Sequence, residues 1–135
     1  MNQITTQYVT EGGACYEQYV ITDPAAKTAL TITPERGGMI TGFTLDGDEY
    51  IWTRRPNFSE CNRPRFGVPV LFPSCGNPDG GVHLFDGKAY PMECHGFADL
   101  CAWEVESVGP DGLTLILEST PLTKFLYPFD FTLLV

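Results

Sequence analysis

The chain has 135 residues, 43% hydrophobic and 19% charged, which suits one globular domain with its own core and excludes a wholly disordered segment. Its 17 acids against 8 bases give a formal net charge of −9. That balance speaks against nucleic acid, whose phosphates need clustered Lys and Arg, and against an anionic membrane surface, while naming no partner of its own.

Met1 to Thr6 lacks the basic start and apolar core of a signal peptide, and no stretch approaches the length of a membrane span. The cysteines are Cys15, Cys61, Cys75, Cys94 and Cys101. Their odd number and the lack of any Cys-x-x-Cys pair point to free, mostly buried thiols in a reducing cytoplasm, with neither a disulfide framework nor a zinc site.

In chain order, the residues before Ala14 are polar, contain Gly12-Gly13 and read as a loose terminus. Cys15 to Thr22 is rich in Tyr and Val and predicts a strand that ends at Asp23-Pro24. Lys27 to Thr33 alternates, with Leu30 and Ile32 on one face, and predicts a half-buried strand. Pro34 to Gly38 is a turn, and Met39 to Leu45 alternates again. Asp46-Gly47 is a hairpin signal, with a strand predicted over Glu49 to Thr53. Asp46, Asp48 and Glu49 read as turn residues and not as a metal site.

The stretch from Arg54 to Arg63 is irregular, with Pro56, Asn57, Ser59 and Asn62. Val68 to Phe72 is apolar but holds Pro69 and runs into Pro73, so it is an edge strand or an extended loop. Two further hairpins follow. Val82 to Phe85 returns through Asp86-Gly87 as Lys88 to Tyr90, and Ala102 to Val108 returns as Leu113 to Ser119. Phe129, Phe131, Leu133 and Val135 line a last strand. Many short strands joined by Gly, Pro and Asp turns, without a 3.6 period, predict an all-β, antiparallel β-sandwich or barrel. Leu30, Ile32, Phe43, Trp52, Trp103, Leu115 and Phe131 are its expected buried residues. Phe72 and Phe129 are expected in the core as well.

Two polar side chains stand out within the apolar stretch from Arg65 to Trp103. Arg65 opens it, and an arginine there needs water, a counter-charge or a ligand. His95 stands in His95-Gly96-Phe97-Ala98. Taken alone, Arg65 fits an ion pair with Glu60 or Asp79, and His95 a structural histidine bonded to a backbone carbonyl. His83, between Val82 and Leu84, reads as a surface residue.

Taken together, Arg65-Phe66-Gly67-Val68-Pro69-Val70-Leu71-Phe72-Pro73, Asp86-Gly87-Lys88-Ala89-Tyr90, His95-Gly96-Phe97-Ala98 and Trp103-Glu104-Val105 resemble the aldose 1-epimerase (galactose mutarotase-like) family. Among its branches the hexose-6-phosphate mutarotases and their relatives look nearest. Gly38, the Asp46-Gly47 hairpin leading to Trp52, and Tyr127-Pro128-Phe129-Asp130-Phe131 support the likeness. It implies part of a large antiparallel supersandwich that interconverts the α and β anomers of an aldose without a cofactor or metal. On this reading residues 1–14 are a flexible N-terminus. Residues 15–135 are the N-terminal part of a mutarotase-like β-sandwich domain, truncated at 135 because the chain stops in mid-strand at Leu133-Leu134-Val135.

The resemblance implies that His95 is a catalytic histidine beside the ring oxygen and that Arg65 contacts the sugar or its phosphate. Asp99 is expected as a second substrate-binding residue, near the rim of the same pocket, where the phosphate branch often carries Arg; an acid there repels a dianion. Asn77, following the glycine that matches Gly76, departs from the galactose-type members, which carry Arg. The family's second histidine and its glutamate base have no counterpart within this chain. The implied partner is a small-molecule aldose, and the alternative is a non-catalytic carbohydrate-binding sandwich.

Overall fold

A computed structural model describes residues 1–53, 63 and 65–135. The first five strands are β1 (Gln3–Glu11), β2 (Ala14–Asp23), β3 (Thr28–Thr33), β4 (Met39–Leu45) and β5 (Asp48–Glu49), and they pair in chain order as one antiparallel sheet. β6 (Val82–Phe85) and β7 (Lys88–Pro91) form a hairpin. β8 (Glu104–Val108), β9 (Leu113–Glu118) and β10 (Thr132–Leu134) form a second, three-stranded antiparallel sheet with β9 in the middle. Short 3-10 turns are the only helical pieces among the described residues. No helix among them is long and apolar enough to cross a membrane. The all-β, antiparallel reading of the sequence therefore holds.

The core lies between the two larger sheets. Ile32, Trp103, Leu115 and Leu117 are buried there, with Ile21, Leu30 and Ile40 packed in from one sheet and Val105, Leu113 and Leu133 from the other. This follows from period-two alternation, which turns every second side chain of a strand inward. The Asp46-Gly47 and Asp86-Gly87 links behave as their chemistry requires. All four residues have positive φ, between 50° and 91°, as a two-residue turn matching the strand twist demands.

Three expectations need correction. Residues 3–11 are not loose chain but β1, paired with β2 from Gln3–Thr22 to Glu11–Ala14. Their Thr, Tyr, Val and Ile content favours a pleated surface, and Gly12-Gly13 is the hairpin turn rather than a break. Secondly, the strand expected over Glu49 to Thr53 stops at Glu49. The Glu49 carboxylate accepts from Phe43 N at 2.8 Å and from Ile51 N at 2.7 Å, which takes over backbone donors a ladder would have used. Lastly, Trp52 and Phe129 are 65% and 45% exposed, so neither belongs to the core. Trp52→Ala is accordingly expected to change stability by no more than about 0.5 kcal/mol in urea denaturation.

A buried polar cluster fixes the first sheet against slippage. Gln18 Nε2 donates to Thr33 Oγ1 at 3.0 Å, and Thr33 and Thr41 hydroxyls meet at 2.9 Å. Gln7 Nε2 closes the chain of bonds onto Gln18 Oε1 at 3.0 Å. A bulge beside Thr31 and Ile32 sets Ile32 opposite Ile40 and leaves Thr41 the extra residue. A one-residue slip would strand these side chains without partners, so register is strongly specified.

Candidate functional site

One cleft of about 580 Å³ brings together residues from three parts of the chain, including Trp52, Arg63, Arg65, Leu71, His95 and Asp99. Its first wall is the extended piece after Arg65. Gly67 N donates to Trp52 O at 3.0 Å, and Val68 and Ile40 exchange backbone bonds of 2.9 and 3.3 Å. The piece thus touches β4 through a single bridge, as its proline content allows.

A second wall carries His95. Phe72 O accepts from Phe97 N at 2.8 Å and from Ala98 N at 3.2 Å, and Gly96 sits against Phe72 in a parallel bridge. A Cβ on Gly96 would run into the Phe72 carbonyl, and its φ is 75°. Only glycine fits there. His95 precedes it as the third residue of a turn closed by Gly96 N donating to Glu93 O at 3.0 Å, with φ of 73°. A left-handed, branched-ring residue in that place costs about 1 kcal/mol, which the surrounding bonds must offset.

Those bonds also decide the ring's chemistry. His95 N donates to Gly76 O at 3.2 Å, and Nδ1 lies 3.0 Å from Cys75 O. A carbonyl oxygen can only accept, so Nδ1 carries the proton of the neutral ring and the lone pair falls on Nε2. Nε2 has no hydrogen-bond partner among the described residues. The backbone-carbonyl contact of a structural histidine is therefore present, and it leaves the other nitrogen open. His83 does not line the cleft; it packs edge-on to Phe85 at 5.9 Å, half-buried in the β6–β7 hairpin.

Arg65 is exposed and lines the same cleft as His95. It has no ion pair among the described residues, Asp79 included, while Glu60 lies outside them. Cys61 and the rest of the irregular stretch 54–62 also lie outside them. Cys15, Cys75, Cys94 and Cys101 are free thiols. Burial, and then the nearby Asp99 charge, pushes the Cys101 thiol up, which keeps it protonated and unreactive. Among the described residues no three His, Cys, Asp or Glu side chains are grouped to hold a metal.

Asp99 is not at the rim. It is 1% exposed and forms part of the cleft's floor, where Arg63 Nη1 reaches both its oxygens at 3.0 and 2.9 Å. Burial pushes the Asp99 carboxyl up, and the Arg63 charge pulls it partly back, with a weaker pull from His95. The acid at this position thus has a counter-charge of its own. Arg63 was hidden in a stretch the sequence marks only as irregular. The available signal was the Arg63-Pro64-Arg65 triplet, two bases straddling a proline just ahead of the apolar run.

No protein-family model and no curated protein matches the sequence. Solved structures do. A Synechocystis sp. PCC 6803 protein superposes over 99% of this chain with a TM-score of 0.82 and 29% identity. A galactose mutarotase related enzyme from Lactobacillus acidophilus superposes over 87% with a TM-score of 0.74 and 27% identity. The fold is galactose mutarotase-like. A galactose 1-epimerase from Lactobacillus acidophilus, 15% identical, shares that fold over 98% of the chain with a TM-score of 0.70. The chain spans only 46%, 37% and 43% of the lengths of these three structures. The galactose mutarotase-like fold accounts for the antiparallel sheets and for the order of the sequence pieces that carry the resemblance.

Proposed function

We propose that the cleft is part of an aldose 1-epimerase-like site in which His95 exchanges a proton with the sugar and Arg65 binds it. The observation that carries this reading is the open Nε2 of His95 in the same cleft as an arginine with no described counter-charge. Mutarotation removes the proton of the anomeric hydroxyl and protonates the ring oxygen as the bond from that oxygen to C1 breaks. Rotation about C1–C2 and the reverse transfers then close the other anomer. Neutral, the ring of His95 can take a proton on Nε2; protonated, it can give that proton back to the ring oxygen. Arg65 supplies fixed donors suited to hydroxyl or phosphate oxygens. Asp99 shapes the floor beside them.

A second reading, a carbohydrate-binding sandwich without chemistry, draws on one specific observation. The only carboxylate lining the cleft among the described residues is Asp99, already held by Arg63, so none of the described carboxylates is free to act as base beside His95. Trp52 and Tyr50 at the cleft could stack on an apolar sugar face in either case.

The test is NMR titration of this chain with free and phosphorylated aldoses, together with polarimetric mutarotation. The His95 ring signals are expected to shift with sugar while those of His83 stay still, and Arg65→Ala is expected to abolish the shift. A rate above the uncatalysed one that falls with His95→Ala supports the enzyme. Binding without such a rate supports the second reading. Sugar shifts that ignore both residues would move the site elsewhere.

A further inference from the structure

Arg63 makes more bonds to the site than either residue the sequence singles out. Its Nη1 holds the Asp99 carboxylate, and its Nη2 donates to Gly96 O at 2.7 Å and to Glu93 Oε2 at 3.3 Å. Glu93 and Gly96 are the first and last residues of the turn on which His95 sits. One planar guanidinium therefore ties that turn to the 3-10 turn Ala98–Leu100 from which Asp99 projects. The Arg63 side chain is 19% exposed and that of Asp99 2%, so this pair is shielded from water, whereas Glu93, 80% exposed, adds little.

The two anchors of His95 divide the work. The backbone of Cys75 and Gly76 fixes the tautomer, but only while the turn stays within reach of it. Backbone sterics do not keep it there, because φ of 73° is disfavoured for any residue but glycine. On the far side of the turn the charge-assisted bonds from Arg63 act beside the two backbone bonds that Phe97 and Ala98 donate to Phe72 O.

We propose that Arg63 is a positioning residue of this site: through Gly96 and Asp99 it helps the Phe72 carbonyl hold the turn that presents His95 to the cleft. The inference rests on the reading of His95 above, and Arg63 itself touches no reacting atom in it. A merely structural role for Arg63 would change stability and leave the folded ring of His95 as it was.

The experiment follows the ring nitrogens of His95 by ¹⁵N NMR at a pH where the imidazole is neutral. Wild-type chain is expected to show one tautomer, with Nδ1 protonated and Nε2 bare. In Arg63→Met the two ring-nitrogen shifts are expected to converge, as the Cys75 bond is lost part of the time, while His83 serves as the unchanged internal reference. Should Arg63→Met fail to fold, Arg63→Lys carries the test. It keeps a cation beside Asp99 but cannot fork to Asp99 and Gly96 together, so a smaller convergence is expected. Glu93→Gln is expected to change nothing. A folded Arg63→Met or Arg63→Lys chain whose His95 keeps the wild-type signature overturns the proposal, as does a wild-type His95 already averaged between tautomers. Neither outcome depends on sugar, so this test stands whatever the mutarotation assay returns.

Discussion

Trp103→Ala is expected to lower the unfolding free energy by about 4 kcal/mol, a large part of what a domain of this size possesses. Trp103 is 2% exposed and sits in the core shared by both sheets, against Ala98, Leu115 and Leu117. Its indole Nε1 donates to Ala98 O at 3.0 Å, so alanine would leave a cavity and take one of two bonds from that carbonyl, which keeps only Cys101 N at 3.2 Å. The backbone of Trp103 also donates to Pro34 O at 3.1 Å, while Gly37 N reaches Cys101 O at 3.1 Å. Those backbone bonds survive the substitution, but Gly38 lies against the indole ring, so its removal also unpacks the Pro34 to Gly38 turn. Urea denaturation followed by circular dichroism measures it. Trp103→Phe separates the two terms, since it keeps most of the volume and loses only the hydrogen bond, at about 1–2 kcal/mol. A Trp103→Ala chain as stable as wild type would mean that this residue is not where the sheets meet.

The second large effect is electrostatic and depends on pH. Arg63→Met is expected to cost about 3 kcal/mol near neutral pH, because it leaves the Asp99 carboxylate buried without its counter-charge. Asp99 already sits above its ordinary value of 3.8 in the folded chain, burial outweighing Arg63. The folded state thus holds that proton more readily than the unfolded chain. The resulting contribution to stability is full in acid below 3.8 and is lost as pH rises through the raised folded value. Without Arg63 the folded value climbs further, and the loss extends to higher pH. The stability gap between Arg63→Met and wild type should therefore be widest near neutrality and narrow on acidification. Adding Asp99→Asn to Arg63→Met should remove most of this pH dependence and return part of the stability. A gap that is flat with pH, or one that widens in acid, would show that Asp99 is not the buried charge at stake.

The strands were legible in the sequence wherever a side chain must choose between core and water. Leu30 with Ile32, and Leu115 with Leu117, report period two directly, and Asp46-Gly47 and Asp86-Gly87 report turns whose positive φ few other pairs tolerate. The all-β class and the antiparallel pairing followed from these local signals. His95 and Arg65 could be singled out because polar groups within an apolar stretch carry information, and both do line one cleft. The polar strand β1 was not legible, since its partner is β2 and its four-residue run Thr5-Thr6-Gln7-Tyr8 is exposed to solvent on both faces. Trp52 was misplaced because bulk and apolarity say that a ring prefers burial, not whether the fold has a place to bury it. Only the tertiary structure could decide the floor of the site. Arg63 and Asp99 are separated by |i−j|=36, and neither carries a local sign of the other. A buried carboxylate finds its counter-charge wherever the packed chain brings one within about 3 Å, and no local periodicity encodes that meeting.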